Sequence, residues 1–114
     1  MAEDFYCDEV LSGKAEISTV LETECVVAYH HTKPFWEVHI VVIPKRHISS
    51  LITMTADDND MLTKIFEVVR KVAEDVVRDR GAARVLTNLG DYQESKHLHF
   101  HVYSGNRLRP DSII

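Results

Sequence analysis

Between residues 95 and 104 the sequence alternates between imidazole and apolar side chains, which restricts what the chain can fold into. The run reads Ser-Lys-His-Leu-His-Phe-His-Val-Tyr-Ser. Successive side chains of a strand point to opposite faces, so this run predicts a strand with two unlike faces. One face carries the imidazoles of His97, His99 and His101. The other face is apolar and must be covered by another element; it carries Leu98, Phe100 and Val102.

A second periodic pattern predicts the element that covers it. Thr55 followed by Asp58 is typical of a capping box at a helix start, and Gly81 is a stop signal after Arg80. Between these signals apolar residues recur at helical spacing, which gives the helix an apolar stripe. The stripe consists of Met61, Leu62, Ile65, Phe66, Val69, Val72, Ala73 and Val76.

Runs of β-branched and apolar residues predict four more strands. Residues 17–21 and 25–29 are separated by three residues, which suits a hairpin. A third run, 38–43, stops at Pro44, which cannot donate in a central ladder. A fourth, 84–89, follows the helix. This order favours an α+β domain, an antiparallel meander sheet of about five strands with the long helix on one face.

The two ends of the chain carry weaker signals. Residues 5–11 predict a short N-terminal helix closed by Gly13. Residues 106–114 have no pattern and are expected to form an irregular tail. Because no repeat or linker is visible, we expect a single domain over residues 1–114.

Composition excludes several classes of partner. The net charge of −5 supplies no basic face for polymeric nucleic acid, and no apolar stretch approaches the ~20 residues that span a membrane. Cys7 and Cys25 show no disulfide framework, and the first residues lack a secretory signal pattern. We therefore expect a cytoplasmic protein that binds neither polymeric nucleic acid nor membranes.

The clustered imidazoles, with His39 on another predicted strand, indicate a chemical function. One interpretation is a zinc-dependent hydrolase or metal-binding protein, since imidazoles on one face can converge on a metal. The other is nucleophilic attack on phosphorus, which needs a ring held by one nitrogen and reacting through the other. Asn88, Gln93 and Ser95 lie nearby in sequence and could bind phosphate oxygens. The residues alone leave both interpretations open.

The run His-Leu-His-Phe-His-Val-Tyr resembles the signature of the histidine triad (HIT) nucleotide hydrolases and transferases. Residues 38–48 are similar to that family's strand-to-helix segment, and the resemblance extends from about residue 5 to residue 107. It implies a HIT-like fold and cleavage at the α-phosphorus of a nucleoside phosphoramidate or a dinucleoside polyphosphate. It also implies that His99 forms a covalent bond to a nucleoside monophosphate, with no metal or other cofactor.

The resemblance assigns the remaining roles as well. It implies that the His97 carbonyl orients the His99 ring and that His101 and Gln93 contact the phosphate or the leaving group. It places three further groups in the polar network, namely His39, Asn88 and the side chain of His97. A homodimer and a small nucleotide substrate are the implied partners.

The chain departs from the family pattern at three places. Glu94 stands where Ser or Thr commonly follows the active-site glutamine, and Ser95, one place later, is a candidate phosphate contact. His31 replaces an acidic residue that often holds the ribose, so it is a candidate for a single hydrogen bond. Asp4 breaks a Cys-x-x-Cys pair with Cys7, which predicts no structural zinc. These departures also suggest a third interpretation, a nucleotide-binding regulator with little turnover.

Overall fold

A five-stranded antiparallel sheet packed against one long helix forms the fold of the computed structural model, which describes residues 10–13 and 16–108. The strands are β1 Ser18–Glu22, β2 Val26–His30, β3 Trp36–Pro44, β4 Arg84–Leu86 and β5 Phe100–Arg107, and the helix is α1 Asn59–Arg80. The strand order in space is β1-β2-β3-β5-β4. The predicted α+β fold, an antiparallel sheet of five strands with a single long helix, is confirmed. Meander order holds for β1, β2 and β3, whereas β5 lies between β3 and β4.

The helix begins and ends where its local chemistry predicts. The Thr55 N–H donates to Asp58 Oδ2 at 2.9 Å in a 3-10 turn that leads into α1. Gly81 adopts a φ of +88°, which favours glycine, and its N–H donates to the Val77 carbonyl at 2.7 Å. The residues that α1 buries are Ile65, Val68, Val69, Val72 and Val76.

The sheet presents a different set of residues to each side. On the helix side, the core includes Leu98, Phe100 and Val102, as the alternating pattern predicts. On the other side, Tyr29 and Val41 belong to a smaller buried cluster. The imidazoles are therefore on the side away from the helix, and the central pair β3–β5 carries His39 and His101.

The predicted strand boundaries differ from the structure, and three of the differences have consequences for the site or the sheet. β5 begins only at Phe100, because the segment before it bonds to a connection instead of a strand; the Leu98 N–H donates to the Ile48 carbonyl at 2.6 Å. β4 ends at Leu86 and not at Leu89. β5 also takes in the first two residues of the predicted tail, since Arg107 pairs with the first residue of β3.

Some predictions fall on residues outside the described part of the chain. They concern residues 5–9 of the N-terminal helix, the Asp4 and Cys7 pair, and residues 109–114 of the tail. Within the described part, the Gly13 N–H donates to the Val10 carbonyl at 3.2 Å with a φ of +84°. No helix there combines the length and apolarity that a membrane span requires.

Candidate active site

A cavity of about 270 Å³ opens on the sheet face that carries the imidazoles. Two connections form its walls, one between β2 and β3 and the other between β4 and β5. The first wall contributes His31, Thr32, Lys33 and Phe35. The second contributes Asn88, Tyr92, Glu94 and Ser95. The floor is formed by Tyr29, His99 and His101.

One hydrogen bond determines which nitrogen of the His99 ring carries the proton. Its Nδ1 lies 2.7 Å from the carbonyl oxygen of His97. A carbonyl can only accept, so Nδ1 carries the proton and Nε2 carries the lone pair. His99 is 6% exposed and lines the cavity, so a ring with a lone pair on Nε2 borders the site.

A chain of two hydrogen bonds determines which ring nitrogen carries the proton in His39 and in His101. The Phe35 N–H donates to His39 Nδ1 at 3.0 Å, so the His39 proton is on Nε2. That nitrogen lies 2.8 Å from His101 Nδ1, which therefore accepts. The proton of His101 must then be on Nε2, a buried atom with no hydrogen-bond partner among the described residues. His101 thus keeps one N–H donor without a described partner, in a residue that lines the cavity.

Burial keeps these three rings neutral. Desolvation is the main cause that lowers the pKa of His39 from 6.5 to about 3 and that of His101 to about 2, and neighbouring imidazoles add to both shifts. Desolvation also lowers the pKa of His99, although its hydrogen bond to His97 opposes the shift. At neutral pH the cavity floor is therefore uncharged.

The side chain of His97 lies outside the cavity and anchors the backbone beneath it. It is fully buried and does not line the cavity; its Nε2–H donates to the Pro44 carbonyl at 2.8 Å. The backbone of His99 is held from another side, since Thr87 Oγ1 donates to the His99 carbonyl at 2.6 Å. These bonds fix the position of the His97 carbonyl that orients the His99 ring.

Of the three predicted phosphate contacts, two line the cavity and one lies behind it. Asn88 and Ser95 both line the cavity. Gln93 is buried behind it, and its amide donates to the carbonyls of Ser49 at 2.7 Å and Ser95 at 2.9 Å. Gln93 therefore joins the connection after β3 to the segment before β5, and its contact with phosphate stays a prediction.

His31 lies on the first wall, where the sequence predicted a nucleotide contact. Its ring stacks on His39 with the centroids 4.3 Å apart, and its Nδ1 accepts from the Lys33 N–H at 2.9 Å. The Nδ1 bond directs the opposite edge of the ring away from the loop backbone. His31 therefore covers the buried bond between His39 and His101 on the cavity side.

The histidines are not arranged as metal ligands in the described part of the chain, which contains no group of three or more His, Cys, Asp or Glu residues placed to hold an ion. His39 and His101 are hydrogen-bonded to each other, and the His97 Nε2 is directed to a backbone carbonyl. Converging on zinc would require these bonds to break. The geometry thus favours the phosphorus chemistry over the zinc interpretation.

The sequence interpretation missed several groups that hold the histidines. The backbone N–H of Phe35 and the carbonyl of Pro44 fix ring tautomers, and the hydroxyl of Thr87 holds the backbone of His99. Backbone groups leave no trace in residue identity, and Thr87 was assigned to a predicted strand. The contribution of Tyr92 to the cavity lining was also missed, because this residue lies in a connection whose conformation no periodic pattern specifies.

Known proteins resemble this chain over nearly all of its length. A model of the HIT domain family matches residues 12–108. A HIT-like protein from Azospirillum brasilense is 38% identical over 107 residues, covering 89% of this chain and 85% of the relative. A histidine triad protein from Clostridium difficile has a solved structure that is 33% identical, with a TM-score of 0.77 over 92% of each chain. A solved HIT family hydrolase from Clostridium thermocellum is 27% identical, with a TM-score of 0.80 over 97% of each chain.

Proposed function

Since the chain belongs to the histidine triad family, as its signature predicted, we propose that it is a nucleotide hydrolase that cleaves at an α-phosphorus through a covalent histidine intermediate. The observation that carries this proposal is the His99 ring, whose Nδ1–H is bound to the His97 carbonyl at 2.7 Å. A solved relative is described as a HIT family hydrolase, which supports the reaction class.

The proposed reaction has two steps. The lone pair of His99 Nε2 attacks the α-phosphorus, a nitrogen–phosphorus bond forms, and the bond from phosphorus to the leaving group breaks with its electron pair. Water then attacks the same phosphorus and releases the nucleoside monophosphate and the neutral ring. The His101 Nε2–H donates a hydrogen bond to a phosphoryl oxygen or to the departing atom, where negative charge develops.

The cavity walls bind the rest of the substrate in this proposal. Asn88 and Ser95 hydrogen-bond the phosphoryl oxygens, because both combine cavity exposure with polar atoms. Phe35 and His31, whose rings meet edge to face at 72° with centroids 5.6 Å apart, provide aromatic contacts for the nucleoside. No step requires a metal or another cofactor.

An activity assay tests this function. The parent protein and a His99→Ala variant are assayed with an adenosine phosphoramidate and with diadenosine tetraphosphate. We expect turnover of at least one substrate, and a loss of more than about a thousandfold in the variant because the nucleophile is missing. His30→Gln, a change of an exposed histidine at the end of β2, is the matched control and should keep parental activity. Equal activity of parent and His99→Ala would contradict the proposal.

A further inference from the structure

The nucleophile of the proposed reaction lies just before the regular part of the last strand. β5 begins at Phe100, one residue after His99. The pairing of β5 with β3 ends at Phe100 and Val42. Its pairing with β4 ends at His101 and Leu86. The direction of the His99 ring therefore depends on the bonds that hold the peptides next to it.

The peptide between His97 and Leu98 is held at its N–H and at its carbonyl. The Leu98 N–H donates to the Ile48 carbonyl at 2.6 Å, and the His97 carbonyl oxygen lies 2.7 Å from His99 Nδ1. A peptide unit is planar, so the first bond also fixes the direction of the carbonyl that accepts from the ring. This peptide acts on the Nδ1 side of the ring. It does not act on the backbone that follows His99.

The peptide between His99 and Phe100 is held by a side chain. Thr87 Oγ1 donates to the His99 carbonyl at 2.6 Å from a half-buried position directly after the end of β4. Because this peptide is also planar, the bond restricts rotation of the backbone at His99 and with it the direction in which Cβ leaves the chain. Valine has the shape of threonine but no donor, so the bond depends on the hydroxyl.

Thr87 stands between the nucleophile and one wall of the cavity. It does not line the cavity itself, whereas the next residue, Asn88, does. The hydroxyl therefore ties the backbone of His99 to the start of the connection that carries this wall. A shift of His99 relative to the wall would change the distance from Nε2 to a bound phosphorus, and misplacement of about 1 Å can slow a reaction by a factor of about a hundred.

Resting on the proposed function, we infer that Thr87 is a positioning residue, whose hydroxyl holds the peptide after His99 so that Nε2 is directed at the α-phosphorus. Thr87 contacts neither the substrate nor the reacting atoms, and it neither gives nor takes a proton in the reaction. Loss of the hydroxyl slows the transfer of the nucleoside monophosphate to His99. Binding of the substrate by the cavity walls stays almost unchanged.

Two pairs of proteins that differ by one hydroxyl test this inference. The parent is compared with Thr87→Val, and Thr87→Ser is compared with Thr87→Ala. Single-turnover transfer from an adenosine phosphoramidate is measured over a range of substrate concentrations, because this separates chemistry from binding. Within each pair we expect the protein without the hydroxyl to have a maximal rate lower by about tenfold to a hundredfold. The half-saturating concentration should change by less than about twofold.

Thr63→Val is the matched control. It removes a similar bond from a hydroxyl, to the Asn59 carbonyl at 3.1 Å on the exposed side of α1, and should keep the parental rate. Circular dichroism establishes which variants fold, and the second pair decides the outcome if Thr87→Val does not.

Three results would overturn the inference alone. They are equal maximal rates within the pairs, a change confined to the half-saturating concentration, which would show action through Asn88, and failure of both proteins without the hydroxyl to fold, which would assign the bond to stability. Absence of turnover by the parent would overturn the proposed function and the inference with it.

Discussion

Single hydrogen bonds decide the chemistry of the site at the scale of the residue. The carbonyl of His97 makes His99 Nδ1 a donor, and the Phe35 N–H makes His39 Nδ1 an acceptor, each because a backbone group can play only one role. Together with the bond between His39 and His101, these two bonds place the lone pair on His99 Nε2 and the proton on His101 Nε2. In the proposed reaction the same kind of residue thus serves as nucleophile at one position and as neutral donor at the other.

The pH dependence of the rate follows from the state of His99. Only the neutral ring attacks phosphorus, and burial lowers its pKa below 6.5, so the reactive form persists at more acidic pH than in an exposed histidine. We expect the acidic decline of kcat/KM for an adenosine phosphoramidate to have its midpoint below pH 6.5. A midpoint at or above pH 6.5 would contradict the assigned state of the ring.

Gln93 has a structural role that a stability measurement can detect. Replacing it with Met keeps its approximate volume but leaves the partly buried carbonyls of Ser49 and Ser95 without its amide donor. We expect urea denaturation to show a free energy of unfolding lower by about 2 kcal/mol. Asp91→Asn, an exposed change in the neighbouring 3-10 turn, serves as the control with little effect. Equal stability of the two variants would show that these bonds contribute nothing.

At the scale of the element, two connections are held against each other beside the site. The end of β3 offers the carbonyl of Pro44, and the connection after it offers those of Ile48 and Ser49. The segment before β5 supplies one donor to each of the three. This segment is therefore fixed without being part of a strand. The apolar face of the sheet rests on α1, and β5 is held in place through that core.

The buried side chains of α1 contribute more to the free energy of unfolding than its exposed ones do. Val72 is 1% exposed in the core, whereas Val77 on the same helix is 46% exposed. We expect Val72→Ala to lower the free energy of unfolding by about 2 to 3 kcal/mol, since it removes buried methyl groups and leaves a cavity. Val77→Ala should change it by less than about 0.5 kcal/mol. Thermal or urea unfolding measures both, and similar losses in the two variants would contradict the packing described.

At the scale of the whole molecule, the sequence predicted the fold well and the site in part. Local patterns sufficed for α1, because its stripe and the Gly81 stop depend on near neighbours, and for the burial of Leu98, Phe100 and Val102. The pairing of His39 with His101 joins strands far apart in the chain, so a sequence can suggest it but gives no geometry. The cavity walls come from two connections, whose conformation no periodicity specifies. The homodimer that the resemblance implies stays a prediction.

The buried imidazoles make the stability of the whole molecule depend on pH. Their pKa values are lowered in the folded state, to about 3 for His39 and about 2 for His101, so the unfolded chain binds more protons below pH 6.5. The free energy of unfolding therefore falls as the pH decreases from 6.5 towards 3. At pH 5 each histidine contributes a loss of about 2 kcal/mol relative to pH 7.

Urea denaturation at pH 7 and pH 5 tests this dependence. We expect the parent to lose at least about 2 kcal/mol between the two pH values. The loss should be smaller by at least about 1 kcal/mol in His101→Gln, which removes one of the two groups, and unchanged in the exposed variant His30→Gln. The same loss in parent and His101→Gln would show that the buried ring does not resist protonation.

Location of the covalent intermediate tests the account most directly. An adenosine phosphoramidate is mixed with the parent, quenched within one turnover and digested with trypsin, keeping the pH above neutral because phosphorus–imidazole bonds are acid-labile. Cleavage after Lys96 and Arg107 gives one peptide with all three histidines of the run, and fragmentation of this peptide distinguishes them. The account predicts adenosine monophosphate on His99. Turnover with the group on another residue, or with no adduct at any quench time, would contradict it.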